Sequence, residues 1–243
     1  NVIGQALANL HAATGWRTIR INHLGDWGTQ FGTLLVAYEK WGDAKLLSGP
    51  FPVRHLMDLY VRFNAEKTAS PRLMDEARAA FASLEKGDPE KHALWSRFRQ
   101  ASLKEFQAIY DRLHMRFDET SGESEFAPKS AELIAWLTAN GLVKESDGAL
   151  IVDLEAFKMP PCLLRKGDEY SLYATRDLIA ARDRFEKHRL DKMLYVVGMP
   201  QELHFRQLFK VLELAGCDWH RRCQHISFGH YQGMHTLEGT FVV

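Results

Sequence analysis

The sequence predicts an α/β fold, a parallel sheet interrupted by a mostly helical insertion, and three observations carry that expectation. Short continuous apolar segments, Met193 to Val197 and Gln224 to Phe228, alternate with helical stripes, the pattern of parallel strands buried on both faces. An amphipathic stretch at residues 2–14 runs into the alternating segment Trp16 to Asn22, which reads as helix followed by strand. From about residue 52 to 116 the spacing is almost wholly helical, with stripes such as Leu56, Leu59, Tyr60, Phe63 and Leu94, Phe98, Ala101.

Each element has its own local reason. Gly15 ends the first helix, and Gly25-Asp26-Trp27-Gly28 makes a tight loop before Phe31, Leu34, Leu35 and Tyr38 resume helical spacing. Pro71 and Gly87-Asp88-Pro89 punctuate the helical block, which is more charged than its flanks; it reads either as solvated helix faces over a helical insertion or as a nucleic-acid-contacting face. A loop is expected at Asp118 to Glu125, then a helix from Pro128 to Asn140 stopped by Gly141. Leu142-Val143 and Leu150 to Val152 read as a hairpin, and Cys162 to Arg165 with Tyr170 to Tyr173 as a second extended pair. Helices at about Thr175 to His188 and Gln201 to Ala215 flank the strand at Met193 to Val197. In such open sheets ligands bind at the carboxyl ends of strands, so the loops after Asn22, Val197 and Phe228 are the ones that matter.

Composition bounds the function. The chain has 243 residues, 46% of them hydrophobic, enough for one large domain or two small ones with a sizeable core. Thirty-one basic and 31 acidic side chains cancel, so any nucleic acid or anionic surface would have to be held by a local patch. No apolar run approaches the roughly 20 residues that span a bilayer. Three cysteines, Cys162, Cys217 and Cys223, suit a reducing compartment, and the cytoplasm is the expected location, with no membrane partner. The chain starts at Asn1 inside a helical stripe and stops at Val243 in an extended one, so these residues are read as a window on a longer chain, truncated at both ends.

The string Ile21-Asn22-His23-Leu24-Gly25-Asp26-Trp27-Gly28-Thr29-Gln30-Phe31-Gly32 resembles a segment of arginyl-tRNA synthetase, a class I aminoacyl-tRNA synthetase. Further segments match in order: Ser121 to Ser124, Leu172 to Asp177, Tyr195 to Gly198 running on to Gln201 through His204 and Gln207, and Phe228-Gly229 through Gln232-Gly233-Met234. The resemblance covers essentially the whole chain. It implies a Rossmann-type catalytic domain over residues 1–243, with a connective insertion at approximately residues 45–165. It also implies that the His-x-Gly-His signature, which contacts ATP, lies ahead of Val2, and the catalytic residues stay unassigned. The partners implied are L-arginine, ATP with Mg²⁺ and tRNA(Arg), on a monomer.

An arginine pocket must satisfy a planar cation with five donors, and a carboxylate accepts two of them in parallel. Asp177 is the candidate, and the resemblance implies that Tyr173, Asp177 and Gln201 contact the arginine. Tyr173 lies four residues before Asp177, so both share a side whether the segment is helical or extended. The bland alternative makes Tyr173 core and pairs Asp177 with Arg176 or Arg182. Gln201 opens a helix whose free N–H groups favour an anion. The resemblance places His204, Met234 and Thr236 near the nucleotide, although a lone helix histidine is as readily structural. Asp26, Gln30 and Glu123 match the family without a defined role, and a tight turn packed by Trp27 would account for the first two.

Two features cut against a simple reading. Cys217, His220, Cys223 and His225 are metal-ligand types, but their spacing fits no standard zinc pattern and Arg221 and Arg222 sit among them, so no bound zinc is expected. The second class I signature aligns with Met234-His235-Thr236-Leu237-Glu238-Gly239, where both basic positions are gone. At about 5 Å and an effective dielectric of about 20 a unit charge is worth roughly 3 kcal/mol, and Glu238 would reverse the favourable sign beside a triphosphate. Two functions follow as expectations: arginine–tRNA ligation, or a non-catalytic relative or inactive fragment that binds arginine or tRNA. The isolated window is expected not to aminoacylate.

Overall fold

Helix α1 (Val2–Ala13) opens the chain and ends where Gly15 takes φ +91°, with the Trp16 N–H turned back to the His11 carbonyl. The computed structural model describes residues 1–166 and 172–229. Strand β1 (Ile21–Leu24) is shorter than the Trp16 to Asn22 alternation predicts. The reason is where a partner is available: the Arg20 carbonyl takes the N–H groups of Asp118 and Glu119, so pairing begins only at the end of the alternating run. Alternation shows which face is buried, not where a neighbour lies.

The first of two units, Asn1–Thr120, continues with α2 (Thr29–Trp41), α3 (Ala44–Leu47), α4 (Pro52–Glu66), α5 (Arg72–Glu85) and α6 (Pro89–Arg112). The stop between α5 and α6 is written locally. Gly87 takes φ +85°, Asp88 accepts the Glu90 and Lys91 N–H groups, and Pro89 fills the first helical position. Phe63, Phe98, Leu35 and Leu84 are fully buried among these helices.

Helices α2 and α5 meet backbone to backbone at Gly32, where an added Cβ would lie 2.1 Å from the Ala77 carbonyl oxygen. Intrinsic propensity alone would make Gly32→Ala stabilising by up to about 1 kcal/mol. Overpacking against a backbone atom outweighs that, and the substitution is expected to lower stability by about 1–3 kcal/mol. Thermal denaturation of the two proteins side by side reads the sign.

Strand β2 (Glu119–Gly122) crosses the boundary and leads into the short helix α7 (Glu123–Phe126), where a loop was expected. The Glu125 carboxylate reaches back to accept the Gly122 N–H and so satisfies a free donor at the helix start. The second unit, Ser121–His230, then adds α8 (Ser130–Ala139) and strands β3 (Val143–Ser146) and β4 (Ala149–Val152). The predicted hairpin is present, its Asp147-Gly148 turn having positive φ at both residues, as a type I′ connection requires.

Strand β5 (Cys162–Lys166) pairs antiparallel with β4, and part of the extended partner expected at Tyr170 to Tyr173 falls on residues that are not described. Residues 167–171 lie outside the described residues, and Tyr173 opens helix α9 (Tyr173–His188). Strand β6 (Met193–Gly198), helix α10 (Glu202–Leu214) and strand β7 (Cys223–Phe228) follow. β6 and β7 pair in parallel from Met193 with Cys223 to Gly198 with Phe228, the strand–helix–strand unit that the apolar segments predict. One cluster, including Leu154, Leu164, Leu178, Val211 and Leu212, fills the space beneath α9 and α10.

Candidate functional site

The site of interest lies at the carboxyl end of β6, where the chain passes through a 3-10 turn (Met199–Gln201) into α10 and comes beside the first turns of α9. Two hydrogen bonds set the start of α9: a buried one from the Thr175 hydroxyl to the Leu164 carbonyl of β5 at 2.6 Å, and a part-buried one from Arg176 to Glu123. On the other helix, Gln207 donates through Nε2 to the carbonyls of Pro160 at 2.8 Å and Pro161 at 3.2 Å. The stretch that feeds β5 is thereby tied to α10.

Tyr173, Asp177, Gln201 and His204 come together there. The Tyr173 hydroxyl donates to Gln201 Oε1. The Tyr173 ring stacks on His204 at 4.0 Å between centroids and 26° between planes. His204 Nε2 lies 2.8 Å from Asp177 Oδ2, and since an ionised carboxylate can only accept, the ring nitrogen donates. Asp177 and His204 are 8% and 9% exposed, whereas Tyr173 is 38% exposed and forms the open side.

The Tyr173 hydroxyl lies where its ionisation is disfavoured. Burial first, then the Asp177 and Glu123 carboxylates, push the Tyr173 hydroxyl well above the usual phenol range. The hydroxyl therefore stays protonated, and a donor, across the physiological range. Cys162 is pushed up to about 12 by burial, which keeps it a thiol and chemically quiet.

Arg176 and Arg182, the ordinary ion partners considered for Asp177, each have another contact. Arg176 reaches Glu123 Oε2 through Nε at 2.7 Å and Nη2 at 2.6 Å, with both side chains largely buried. Arg182 stacks over the Trp136 ring at 4.1 Å. In the first unit Asp26 binds Arg99 Nε at 2.7 Å and offers its carbonyl to Trp95 Nε1 at 2.8 Å. Gln30 donates to the Trp27 carbonyl, and the Trp27 ring meets Phe81 and Trp95 edge-on. That is the packed turn weighed for Asp26 and Gln30.

His220 Nδ1 lies 2.9 Å from the Cys217 carbonyl and His225 Nε2 2.9 Å from the Val197 carbonyl, so backbone contacts occupy these nitrogens. Among the described residues no three His, Cys, Asp or Glu side chains are grouped to hold a metal, and no helix is long and apolar enough to cross a membrane. Met234, Thr236, Leu237 and Glu238 lie outside the described residues. Thr175 and the pairing of Arg176 with Glu123, a residue matched to the family without a defined role, are the supporting features that sequence reasoning did not single out. A threonine and an arginine inside an otherwise apolar helix face were the available signal.

A parallel β6–α10–β7 unit with a buried carboxylate–histidine contact near the strand's carboxyl end is an α/β arrangement of the kind that binds ligands at the carboxyl ends of its strands. Residues 1–243 match the family described as class I tRNA synthetases (R), catalytic domain, and the chain belongs to that family. Arginine–tRNA ligase of Clostridioides difficile (strain 630) is 50% identical over 228 residues, 94% of this chain and 40% of that protein. Arginine–tRNA ligase of Streptococcus suis (strain 05ZYH33) is also 50% identical, with the same coverage. The chain thus spans about 40% of the length of these curated relatives. The crystal structure of arginyl-tRNA synthetase from Plasmodium falciparum shares the fold, with a TM-score of 0.76 and 24% identity over 94% of this chain and 39% of that one.

Proposed function

We propose that this chain is the arginine-recognising part of an arginine–tRNA ligase, which joins L-arginine to ATP as an adenylate and passes it to tRNA(Arg). The observation that carries the reading is the buried Asp177 carboxylate beside the Tyr173 ring and Gln201 amide, in a chain about half identical to named arginine–tRNA ligases. The carboxylate supplies two parallel acceptors for a guanidinium, the Tyr173 ring offers its face to the same planar cation, and Gln201 supplies a polar contact at the start of α10. Met234 and Thr236 are assigned to the nucleotide by resemblance alone. Mg²⁺ belongs to this reading as part of the ATP substrate. The ligase would act in the cytoplasm as a monomer, with residues 1–243 as catalytic domain and approximately 45–165 as its connective insertion.

The chemistry is attack of the arginine carboxylate on the α-phosphate, with charge building on the phosphate oxygens and on pyrophosphate as it leaves. Asp177 and Tyr173 contribute by binding and orientation, fixing the far end of the substrate so that its carboxylate is presented in one place. Glu238 favours a second reading, an arginine- or tRNA-binding relative without activation chemistry, because it stands where the family carries a cation. Arginine-dependent ATP–pyrophosphate exchange by the whole protein, with tRNA(Arg) present, separates the two. Exchange supports the ligase; arginine binding by calorimetry without exchange supports the binding protein.

A further inference from the structure

We infer that His204 is a positioning residue for guanidinium recognition, acting through Asp177 and Tyr173; this rests on the arginine-pocket reading and adds to it a source of specificity. The ring is held on three sides. Nε2 donates to Asp177 Oδ2 at 2.8 Å, one face stacks on Tyr173 at 4.0 Å, and Phe205 packs edge-on at 5.1 Å and 73°. Phe205 is backed in turn by the His225 ring at 4.7 Å.

A bidentate guanidinium contact needs a carboxylate fixed in one plane, because rotating it takes one oxygen away from the second of two parallel donors. The hydrogen bond to His204 pins Oδ2 and so restricts that rotation. The same ring backs Tyr173, whose hydroxyl is tethered to Gln201. Gln201, Tyr173, His204 and Asp177 therefore form a continuous chain of side-chain contacts between α9 and the start of α10, set before a ligand arrives. Preorganisation of this kind sharpens recognition because less ordering is left to the moment of binding.

His204 offers two separable contributions, a donor and a ring. His204→Phe keeps a ring against Tyr173 and removes the donor; His204→Gln places an amide N–H near the position of Nε2 and removes the ring. In exchange assays on the whole protein, His204→Phe is expected to raise KM for arginine roughly 10- to 100-fold and to leave KM for ATP within about twofold. It is also expected to narrow the preference for arginine over citrulline, the uncharged urea isostere, measured by calorimetry. His204→Gln is expected to retain most of that preference.

An unchanged arginine KM and preference in His204→Phe, or a shift in the ATP KM instead, overturns the inference. Should His204→Phe fail to fold, His204→Gln and His204→Asn decide: the longer amide reaches Asp177 and keeps the preference, the shorter one loses it, and equal behaviour overturns the inference. A wild-type protein that binds no arginine overturns the pocket reading together with this inference. A wild-type protein that binds arginine, with variants that bind it equally well, overturns this inference alone.

Discussion

Asp177→Asn is expected to lower kcat/KM for arginine by about 10²- to 10³-fold while KM for ATP stays within about twofold. Losing one partner of a desolvated, hydrogen-bonded charge pair costs about 2–5 kcal/mol, and each 1.4 kcal/mol is about tenfold. The carboxylate is only 8% exposed, so water cannot replace it at the guanidinium. Asparagine is the informative substitution because its Oδ1 can still accept from His204 Nε2, so the packing of α9 against α10 survives. Its Nδ2 group, however, turns a donor toward a cation that has only donors. Steady-state exchange kinetics with arginine and ATP varied in turn make the comparison. A loss below about threefold, or an equal rise in both KM values, removes Asp177 from the arginine pocket.

Arg176→Met is expected to cost about 3–5 kcal/mol of folding stability, because it withdraws the cation that offsets the buried Glu123 carboxylate. At about 2–4 °C per kcal/mol for a domain of this size, the melting temperature should fall by roughly 6–20 °C. The pair joins α7 to the first turn of α9, one residue before Asp177, so the arginine KM should rise as well. The double variant Arg176→Met with Glu123→Leu tests the cause, since two apolar groups in place of a buried ion pair are often tolerated. Recovery of most of the lost stability in the double variant is expected. Equal destabilisation of the single and double variants would show that packing, rather than charge, holds this corner.

Local signals carried much of the fold. The hairpin at Asp147-Gly148 was legible because both turn residues tolerate positive φ, and the β6–α10–β7 unit because continuous apolar strands flank a helical stripe. Strand partners were less accessible: Cys162 to Lys166 has an extended pattern whichever strand it joins, and only tertiary structure shows that it completes a sheet with β4. The beginning of β1 was misjudged for the same reason.

The site shows the same division. Tyr173 and Asp177 could be put on one side from their spacing, and Gln201 at a helix start from the strand before it. The link from Asp177 to His204 joins residues 27 apart on two helices, and Glu123 meets Arg176 across 53 residues, so neither leaves a periodic trace. The resemblance to arginyl-tRNA synthetases supplied the chemistry that spacing could not. The altered signature expected around Glu238 rests on the sequence alone, and those residues are not described.

The central claim, that Asp177 and Tyr173 receive the guanidinium of arginine, is tested most directly by a crystal structure of the whole protein with L-arginine bound. The account predicts guanidinium nitrogens within about 2.7–3.2 Å of the Asp177 carboxylate, with the Tyr173 ring within about 6 Å of the cation. Arginine bound elsewhere, or bound here with its α-carboxylate toward Asp177, would contradict it.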